Sequence, residues 1–156
     1  MPLFRKTLYA TDFSPLAEAA LDYVKKLKEA GEEEVVVVHV VDDLEVELPE
    51  GTDLIREKEV FKILPEVDQE YVINLIEKLN AIKEILEDEG LKVKIYLRYG
   101  NIPKQIVAVA DEERVKLIVM GAHGKGLLSE LLLGSVSTDV IREAKCPVLI
   151  VKRREE

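Results

Sequence analysis

The chain has 156 residues, of which 22 are Lys or Arg and 31 are Asp or Glu, so its net charge is −9 at pH 7, and 47% of the residues are hydrophobic. These values are typical of a globular domain with a substantial core, and they argue against nucleic acid as a partner because an acidic surface repels phosphates. No apolar run reaches the roughly 20 residues that a membrane-spanning helix requires, and a single cysteine excludes an internal disulfide.

Short β-branched runs alternate with longer amphipathic runs, which is typical of βα units around a parallel sheet. The second run, VVVVHVV, is nearly all apolar, as expected of a strand that is covered on both faces. The third run alternates polar and apolar residues, which indicates a strand near solvent or near an edge. Five strands are predicted, over residues 6–11, 35–41, 92–99, 117–120 and 148–152.

Capping residues mark the helices between these strands. Ser14 is a suitable N-cap with Pro15 in the first turn, and Gly31 follows the last apolar position of the first helix. A longer amphipathic stripe ends before Gly90. Besides the helix between Ser14 and Gly31, helices are predicted from about residue 66 to 89, from residues 101–103 onwards, and from residues 134–135 to about 144.

Residues 42–65 do not follow this alternation. The segment is charged, contains Pro49, Gly51 and Pro65, and is longer than the few residues that usually link a strand to a helix. We expect a partly ordered excursion with a short helix over residues 53–64, in a chain that otherwise forms a single domain over residues 1–156. A tolerated surface insertion is the favoured interpretation, and an interaction or lid element is the alternative.

The loop after the fourth strand has the composition of a phosphate site. Ligands of open parallel sheets bind beyond the carboxyl ends of the strands, where the winding direction reverses. Gly121 and Gly124 in this loop let backbone N–H groups approach an anion, and a helix that starts at Gly134 offers unpaired N–H groups and the positive end of its dipole. The further donors expected here are the hydroxyls of Ser135, Ser137 and Thr138 and the cation of Lys125.

Candidate acid–base residues are few. Asp12, which follows the first strand, is expected to contact a ligand by accepting hydrogen bonds from ribose hydroxyls or by holding a water on Mg²⁺, and the alternative is a turn-forming Asp. His123 has no identifiable partner for catalysis, and His39 is expected to be a packing residue. P-loop, dinucleotide-binding and hydrolase motifs are absent from the sequence. We therefore predict no catalytic residue and no metal site built by protein ligands alone.

The pattern that remains is G-x2-G-x9-G-S, formed by Gly121, Gly124, Gly134 and Ser135. It is accompanied by YATDFS at residues 9–14, VHV at 38–40, MGAHG at 120–124 and CPVLIV at 146–151. On these motifs the chain resembles the universal stress protein family, specifically its ATP-binding branch, over nearly its whole length. The resemblance implies an α/β fold with an open five-stranded parallel sheet in the order 3-2-1-4-5 and with helices on both faces.

The same resemblance implies a ligand and an assembly. The ligand is ATP or another adenine nucleotide in the crevice between the first and fourth strands, with Mg²⁺ or Mn²⁺ bound through the phosphates. The implied nucleotide-binding residues are Ala10, Thr11, Asp12, Val40, Met120, Gly121, His123, Gly124, Gly134, Ser135, Val136 and Ser137, and the cation of Lys125 in the same loop is a further candidate. Family members commonly pair through the last strand, which implies a homodimer through residues 148–152.

These expectations define two functions of different classes. The first is a cytoplasmic, nucleotide-dependent switch or stress-response factor with an unidentified protein partner. Because no general base is evident, any ATP hydrolysis is expected to be slow or partner-dependent. The alternative is a nucleotide-independent, dimeric protein-interaction scaffold with the same fold.

Overall fold

The chain folds into alternating strands and helices. The structure, a computed structural model, describes residues 3–124 and 133–152. The strands are β1 (Lys6–Ala10), β2 (Glu34–Val41), β3 (Lys92–Tyr99), β4 (Leu117–Gly121) and β5 (Val148–Val151), each within one residue of its predicted bounds. The helices are α1 (Pro15–Lys26), α2 (Lys58–Lys62), α3 (Glu66–Asp88), α4 (Ile102–Glu113) and α5 (Ser135–Glu143).

The five strands form one parallel sheet in the order β3-β2-β1-β4-β5. The predicted fold class is therefore confirmed. Neighbouring strands β1 and β4 continue into connections on opposite sides of the sheet, and this reversal opens a crevice beyond their carboxyl ends.

Helices cover both faces of the sheet because side chains alternate along each buried strand. One layer forms between the sheet and helices α1 and α3, and the other forms between the sheet and helices α4 and α5. Typical members of the first layer are Tyr9, Val24, Val35, Val37, Leu75 and Leu79, and those of the second are Leu8, Val36, Val38, Ile106, Val109 and Val140. Across the two described stretches of chain, no helix combines the length and the apolar character needed to cross a membrane.

Capping residues mark where the helices begin and end, as predicted for Ser14. Ser14 Oγ accepts a hydrogen bond from Ala17 N at the start of α1, and Asn101 Oδ1 accepts one from Lys104 N at the start of α4. A 3₁₀ turn (Leu27–Ala30) follows α1 and ends at Gly31, whose φ of 100° lies in the left-handed region that favours glycine. These local rules hold the helices at fixed positions relative to the strand ends.

The excursion after β2 covers one edge of the sheet. Its residues 51–54 run antiparallel to β3 through three backbone hydrogen bonds of 2.8 Å, Gly51 N to Tyr99 O, Tyr99 N to Thr52 O, and Leu54 N to Leu97 O. The pairing covers the edge of β3, which a parallel sheet would otherwise leave with unpaired backbone groups. The segment is therefore more ordered than the sequence predicts.

The helix in this excursion is shorter than predicted. It spans Lys58–Lys62 instead of residues 53–64, because the buried side chain of Asp53 forms a turn. Asp53 Oδ1 accepts from Ile55 N at 2.9 Å and from Arg56 N at 3.1 Å, and Asp53 N donates to Glu57 Oε2 at 2.6 Å. Side-chain bonds of this kind compete with the helical pattern and delay its start.

Candidate functional site

The turn after β1 is held by side-chain to backbone hydrogen bonds. Thr11 Oγ1 accepts from Phe13 N at 2.9 Å, and Asp12 Oδ1 accepts from Ser14 N at 3.0 Å. Phe13 has a φ of 64°, a left-handed conformation that is unfavourable for a residue with a Cβ. Asp12 therefore forms the turn through Oδ1, whereas its Oδ2 is the oxygen on the side of Gly124. Non-glycine residues in this region of φ are concentrated at functional sites.

The loop after β4 comes close to this turn because Gly124 has no side chain. A Cβ at Gly124 would overlap Asp12 Oδ2. A Cβ at Gly134 would lie 3.1 Å from His123 Cα, and one at Gly121 would lie 3.2 Å from Leu16 Cγ. All three glycines of the sequence motif thus allow close contacts with neighbouring residues. Of these contacts, only that of Gly124 is with an acidic residue of the cavity.

The start of α5 presents backbone amides. Gly134 N donates to Ala122 O at 2.8 Å, and Thr138 N is the first amide of the helix to bond within it, to Gly134 O at 3.0 Å. The amides of Ser135, Val136 and Ser137 have no backbone acceptor among the described residues, since the first amides of a helix have none within it. The N-cap residue is a glycine, so it supplies no side chain to cap them.

Two hydroxyls that the sequence offered as ligand donors serve the protein instead. Ser137 is a buried residue whose Oγ donates to Ala122 O, and Thr138 Oγ1 lies 2.9 Å from Gly134 O. A hydroxyl has one proton to donate, so neither is available to a ligand in this arrangement. Ser135 Oγ has no hydrogen bond to another described residue, and it is the hydroxyl that matches the expectation.

A cavity of about 580 Å³ joins these features at the carboxyl ends of β1, β2 and β4. Twelve of the thirteen residues predicted from the sequence line it, and the thirteenth, Lys125, lies outside the described residues. The twelve are Ala10, Thr11, Asp12, Val40, Met120, Gly121, His123, Gly124, Gly134, Ser135, Val136 and Ser137.

Eight further residues, which were not predicted from the sequence, also line the cavity: Ala17, Val38, His39, Asp42, Asp43, Tyr71, Ile102 and Ile106. The two Asp residues directly follow β2, so the strand-end rule that identified Asp12 would have found them. Tyr71 comes from α3 and carries no local signal. His39 packs on Phe13 as expected of a packing residue, but it also faces the cavity.

The cavity wall is acidic. It contains Asp12, Asp42 and Asp43, and none of its described lining residues is Lys or Arg. Tyr71 Oη donates to both carboxylate oxygens of Asp43 at 3.1 Å, and burial, together with the two neighbouring Asp residues, raises the pKa of Tyr71. A polyanion in this cavity therefore requires backbone amides and a cation to offset the acids.

The described residues contain no cluster of three or more His, Cys, Asp or Glu side chains that could hold a metal ion. A divalent cation at this site would need oxygens from the ligand itself as well as from the protein. Mg²⁺ is usually bound in this way, through one or two carboxylates, water and substrate phosphates. Asp12 Oδ2 is the carboxylate oxygen that borders the glycine loop.

Comparison with known proteins identifies close relatives over the full described length. The model of the universal stress protein family matches residues 3–152. The chain is 40% identical over 157 residues to universal stress protein MJ0577 of Methanocaldococcus jannaschii, with 97% of each sequence covered. It is 31% identical to universal stress protein YxiE of Bacillus subtilis, covering 96% of this chain and all of the relative.

Solved structures agree with these matches. The structure of MJ0577 superimposes with a TM-score of 0.80 and 99% of each chain covered. A universal stress protein from Archaeoglobus fulgidus in complex with dAMP, 27% identical, superimposes with a TM-score of 0.63 over 97% of this chain and all of that chain. The chain belongs to the universal stress protein family.

Proposed function

We propose that this chain binds an adenine nucleotide, with ATP as the leading candidate, in the cavity beyond β1 and β4. The observation that carries the proposal is the set of three amides at the start of α5, which lack acceptors among the described residues and belong to cavity-lining residues. Such amides and the helix dipole form a ready anion site. The dAMP complex of the Archaeoglobus fulgidus relative supports an adenine nucleotide as the ligand.

The two ends of the cavity differ in chemistry, which suggests how a nucleotide is oriented. Phosphates would lie against the Gly124 loop and the first turn of α5. The base would lie towards the opposite, more apolar wall, where Ala10, Val40 and Ile106 are buried. A volume of about 580 Å³ is within the usual range of roughly 300–1,000 Å³ for small-molecule sites.

Asp12 would contribute its Oδ2 atom to the ribose or to a divalent cation. The Asp12 carboxylate occupies the position that a Cβ of Gly124 would take, so Oδ2 lies against the glycine loop, and Asp12 and Gly124 both line the cavity. Mg²⁺ or Mn²⁺ bound through the phosphates would neutralise part of their charge in an acidic cavity. Asp12 would then orient the ion or its water, while the α5 amides bind phosphate oxygens.

The role that follows is binding and switching in preference to rapid catalysis. The histidines of the cavity are His39 and His123, and the hydrogen bond recorded for each ring Nδ1 is to a main-chain carbonyl, of Thr11 and of Gly124 respectively. Neither bond places a general base on an attacking water. We expect hydrolysis to be slow or to depend on a protein partner, in a cytoplasmic protein whose nucleotide state controls that partner.

Calorimetry tests the proposal directly. Titration with ATP, ADP and GTP, each with and without Mg²⁺, should give saturable binding for the adenine nucleotides. A parallel mass spectrum of small molecules released on denaturation identifies any nucleotide that was purified with the protein. Folded protein that shows no binding at millimolar adenine nucleotide contradicts the proposal.

A nucleotide-independent scaffold is the second candidate, and the packing of two motif glycines favours it. Gly121 and Gly134 allow close contacts with Leu16 and His123, so they would be retained for folding even without a ligand.

We propose for both candidates a homodimer through β5, because this strand pairs only with β4 among the described residues and its other edge requires cover. An empty, nucleotide-indifferent dimer in light scattering and calorimetry would select the scaffold, and a monomer at micromolar concentration would contradict the dimer.

A further inference from the structure

His39 contacts the residues on both sides of Asp12. Its Nδ1 atom lies 2.7 Å from Thr11 O, and its ring packs against the ring of Phe13 with centroids 4.6 Å apart. We infer that His39 is a positioning residue of the nucleotide site, which holds the turn of residues 11–13 so that Asp12 Oδ2 lies beside Gly124. This inference rests on the proposed nucleotide binding and names a residue through which it is controlled.

The hydrogen bond defines the state of the imidazole. A carbonyl oxygen can only accept, so His39 Nδ1 carries the proton and donates it to Thr11 O. Thr11 N donates in turn to Val38 O at 3.0 Å. Consecutive residues of β2 therefore hold both polar groups of the Thr11 backbone, and the start of the turn is fixed to the strand beside it.

The ring contact secures the other side of Asp12. Phe13 adopts a φ of 64°, which requires stabilising contacts because a Cβ is disfavoured there. The ring of His39 covers one part of the Phe13 ring, and Lys78 Nζ from α3 lies 5.3 Å from its centroid. Loss of the His39 ring removes one of the contacts that hold Phe13 in this conformation.

The consequence reaches the ligand through Asp12. Relaxation of Phe13 to a negative φ would rotate the peptide between Asp12 and Phe13 and disrupt the bond from Ser14 N to Asp12 Oδ1. The Asp12 carboxylate would then leave its place against Gly124. His39 therefore acts through Asp12, and this separates a positioning role from a general contribution to packing.

Three variants and a double variant test this chain of contacts. His39→Leu keeps volume but removes the donor, whereas His39→Asn places an amide N–H near the position of Nδ1. We expect about a tenfold loss of Mg·ATP affinity in His39→Leu, with partial recovery in His39→Asn, which restores the hydrogen bond to Thr11 O but not the ring contact with Phe13. In an Asp12→Ala background, His39→Leu should cause little further loss, because the residue through which it acts is already gone.

A structural measurement keeps the test independent of the ligand. The intraresidue HN–Hα NOE of Phe13 in the free protein is strong when φ is positive, and we expect that signature to be lost in His39→Leu and partly kept in His39→Asn, which has the donor but not the ring. If His39→Leu does not fold, His39→Gln replaces it. Its amide lies one bond further from the backbone than that of Asn, so it does not reproduce the donor position of Nδ1. Additive losses with Asp12→Ala, or an unchanged Phe13 NOE in His39→Leu, would overturn the inference. Failure of the wild-type protein to bind any adenine nucleotide would refute the proposed function instead.

Discussion

The two ends of the sheet place acids in opposite environments. At the carboxyl end, Asp12 lines a cavity, and one of its oxygens organises a turn while the other borders Gly124. At the amino end, Glu32 is 2% exposed, one of its oxygens accepts from the buried Thr7 hydroxyl, and the other has no partner among the described residues. We infer that the first end controls ligand binding and the second controls folding stability.

The largest expected effect lies at the amino end. Burial raises the pKa of Glu32 from 4.5 to about 7, although the hydrogen bond from Thr7 lowers it. The folded protein thus holds a proton that the unfolded chain releases at lower pH, so the free energy of unfolding falls as pH rises from 4.5 through 7. The loss is up to about 3 kcal/mol at 1.36 kcal/mol per pKa unit. Denaturant unfolding at pH 5 and pH 8 measures it.

Glu32→Gln is the control for this titration. It keeps an oxygen that accepts from Thr7 and removes the ionisable proton, so its stability should be nearly constant between pH 5 and pH 8, with ATP affinity unchanged. A wild-type protein equally stable at both values would contradict the assignment. Glu113 does not interfere, because hydrogen bonds from Lys94, Tyr96 and Lys6 outweigh burial and lower its pKa to about 2, below this pH window.

Gly124→Val tests the carboxyl end. The Cβ of the new side chain would displace the carboxylate of Asp12 and would not meet the main chain. The fold should therefore tolerate the substitution. We expect at least a tenfold loss of ATP affinity, about 1.4 kcal/mol, with little change in melting temperature. Calorimetry and thermal unfolding on the same sample separate the two quantities.

Gly134→Ala is the informative counterpart to Gly124→Val. Its added Cβ meets the backbone of His123, so it should lower both stability and affinity. If Gly124→Val bound ATP with the affinity of the wild type, the loop would not be the phosphate site. The carboxyl end of the sheet would then have no shown role in ligand binding.

Local chemistry explains why most of the fold was predictable from the sequence. The apolar runs of the strands and the caps at Ser14 and Asn101 act over a few residues, and each element they indicate is present. The order of the strands came from the resemblance, not from the runs. The pairing of residues 51–54 with β3 was not predictable, because it depends on hydrogen bonds between segments about 45 residues apart in sequence.

The candidate site was predictable to the extent that strand ends indicate it. Asp12 and the motif glycines follow β1 and β4 directly, and they line the cavity. Tyr71 reaches the cavity from the side of α3, where nothing in the sequence distinguishes it from a surface aromatic. The direction in which Ser137 donates was also beyond the sequence, since it depends on where the carbonyl of Ala122 lies.

Within the first turn of α5, the hydroxyls of Ser135 and Ser137 are expected to show the same contrast between ligand binding and folding stability. Ser137→Ala removes a buried bond to Ala122 O, which keeps its bond from Gly134 N, so we expect about 1 kcal/mol of lost stability and little change in affinity. Ser135→Ala should do the reverse, with a few-fold loss of ATP affinity and unchanged stability. Equal effects of the two substitutions on affinity would show that both hydroxyls contact the ligand.

The smallest expected effect comes from the acids that follow β2. Asp43→Asn removes one negative charge from the cavity wall while keeping an oxygen that accepts from Tyr71, so the wall should keep its shape. We expect Mg²⁺-free ATP to bind roughly twofold more tightly, about 0.5 kcal/mol, at low salt, with the gain shrinking as salt screens the charge. Asp88→Asn, at the exposed end of α3 and outside the cavity lining, changes the net charge equally and should have no effect. Equal gains in the two variants would assign the effect to the net charge of −9 and not to the cavity, whereas a gain confined to Asp43→Asn would assign it to a negative charge of the cavity wall.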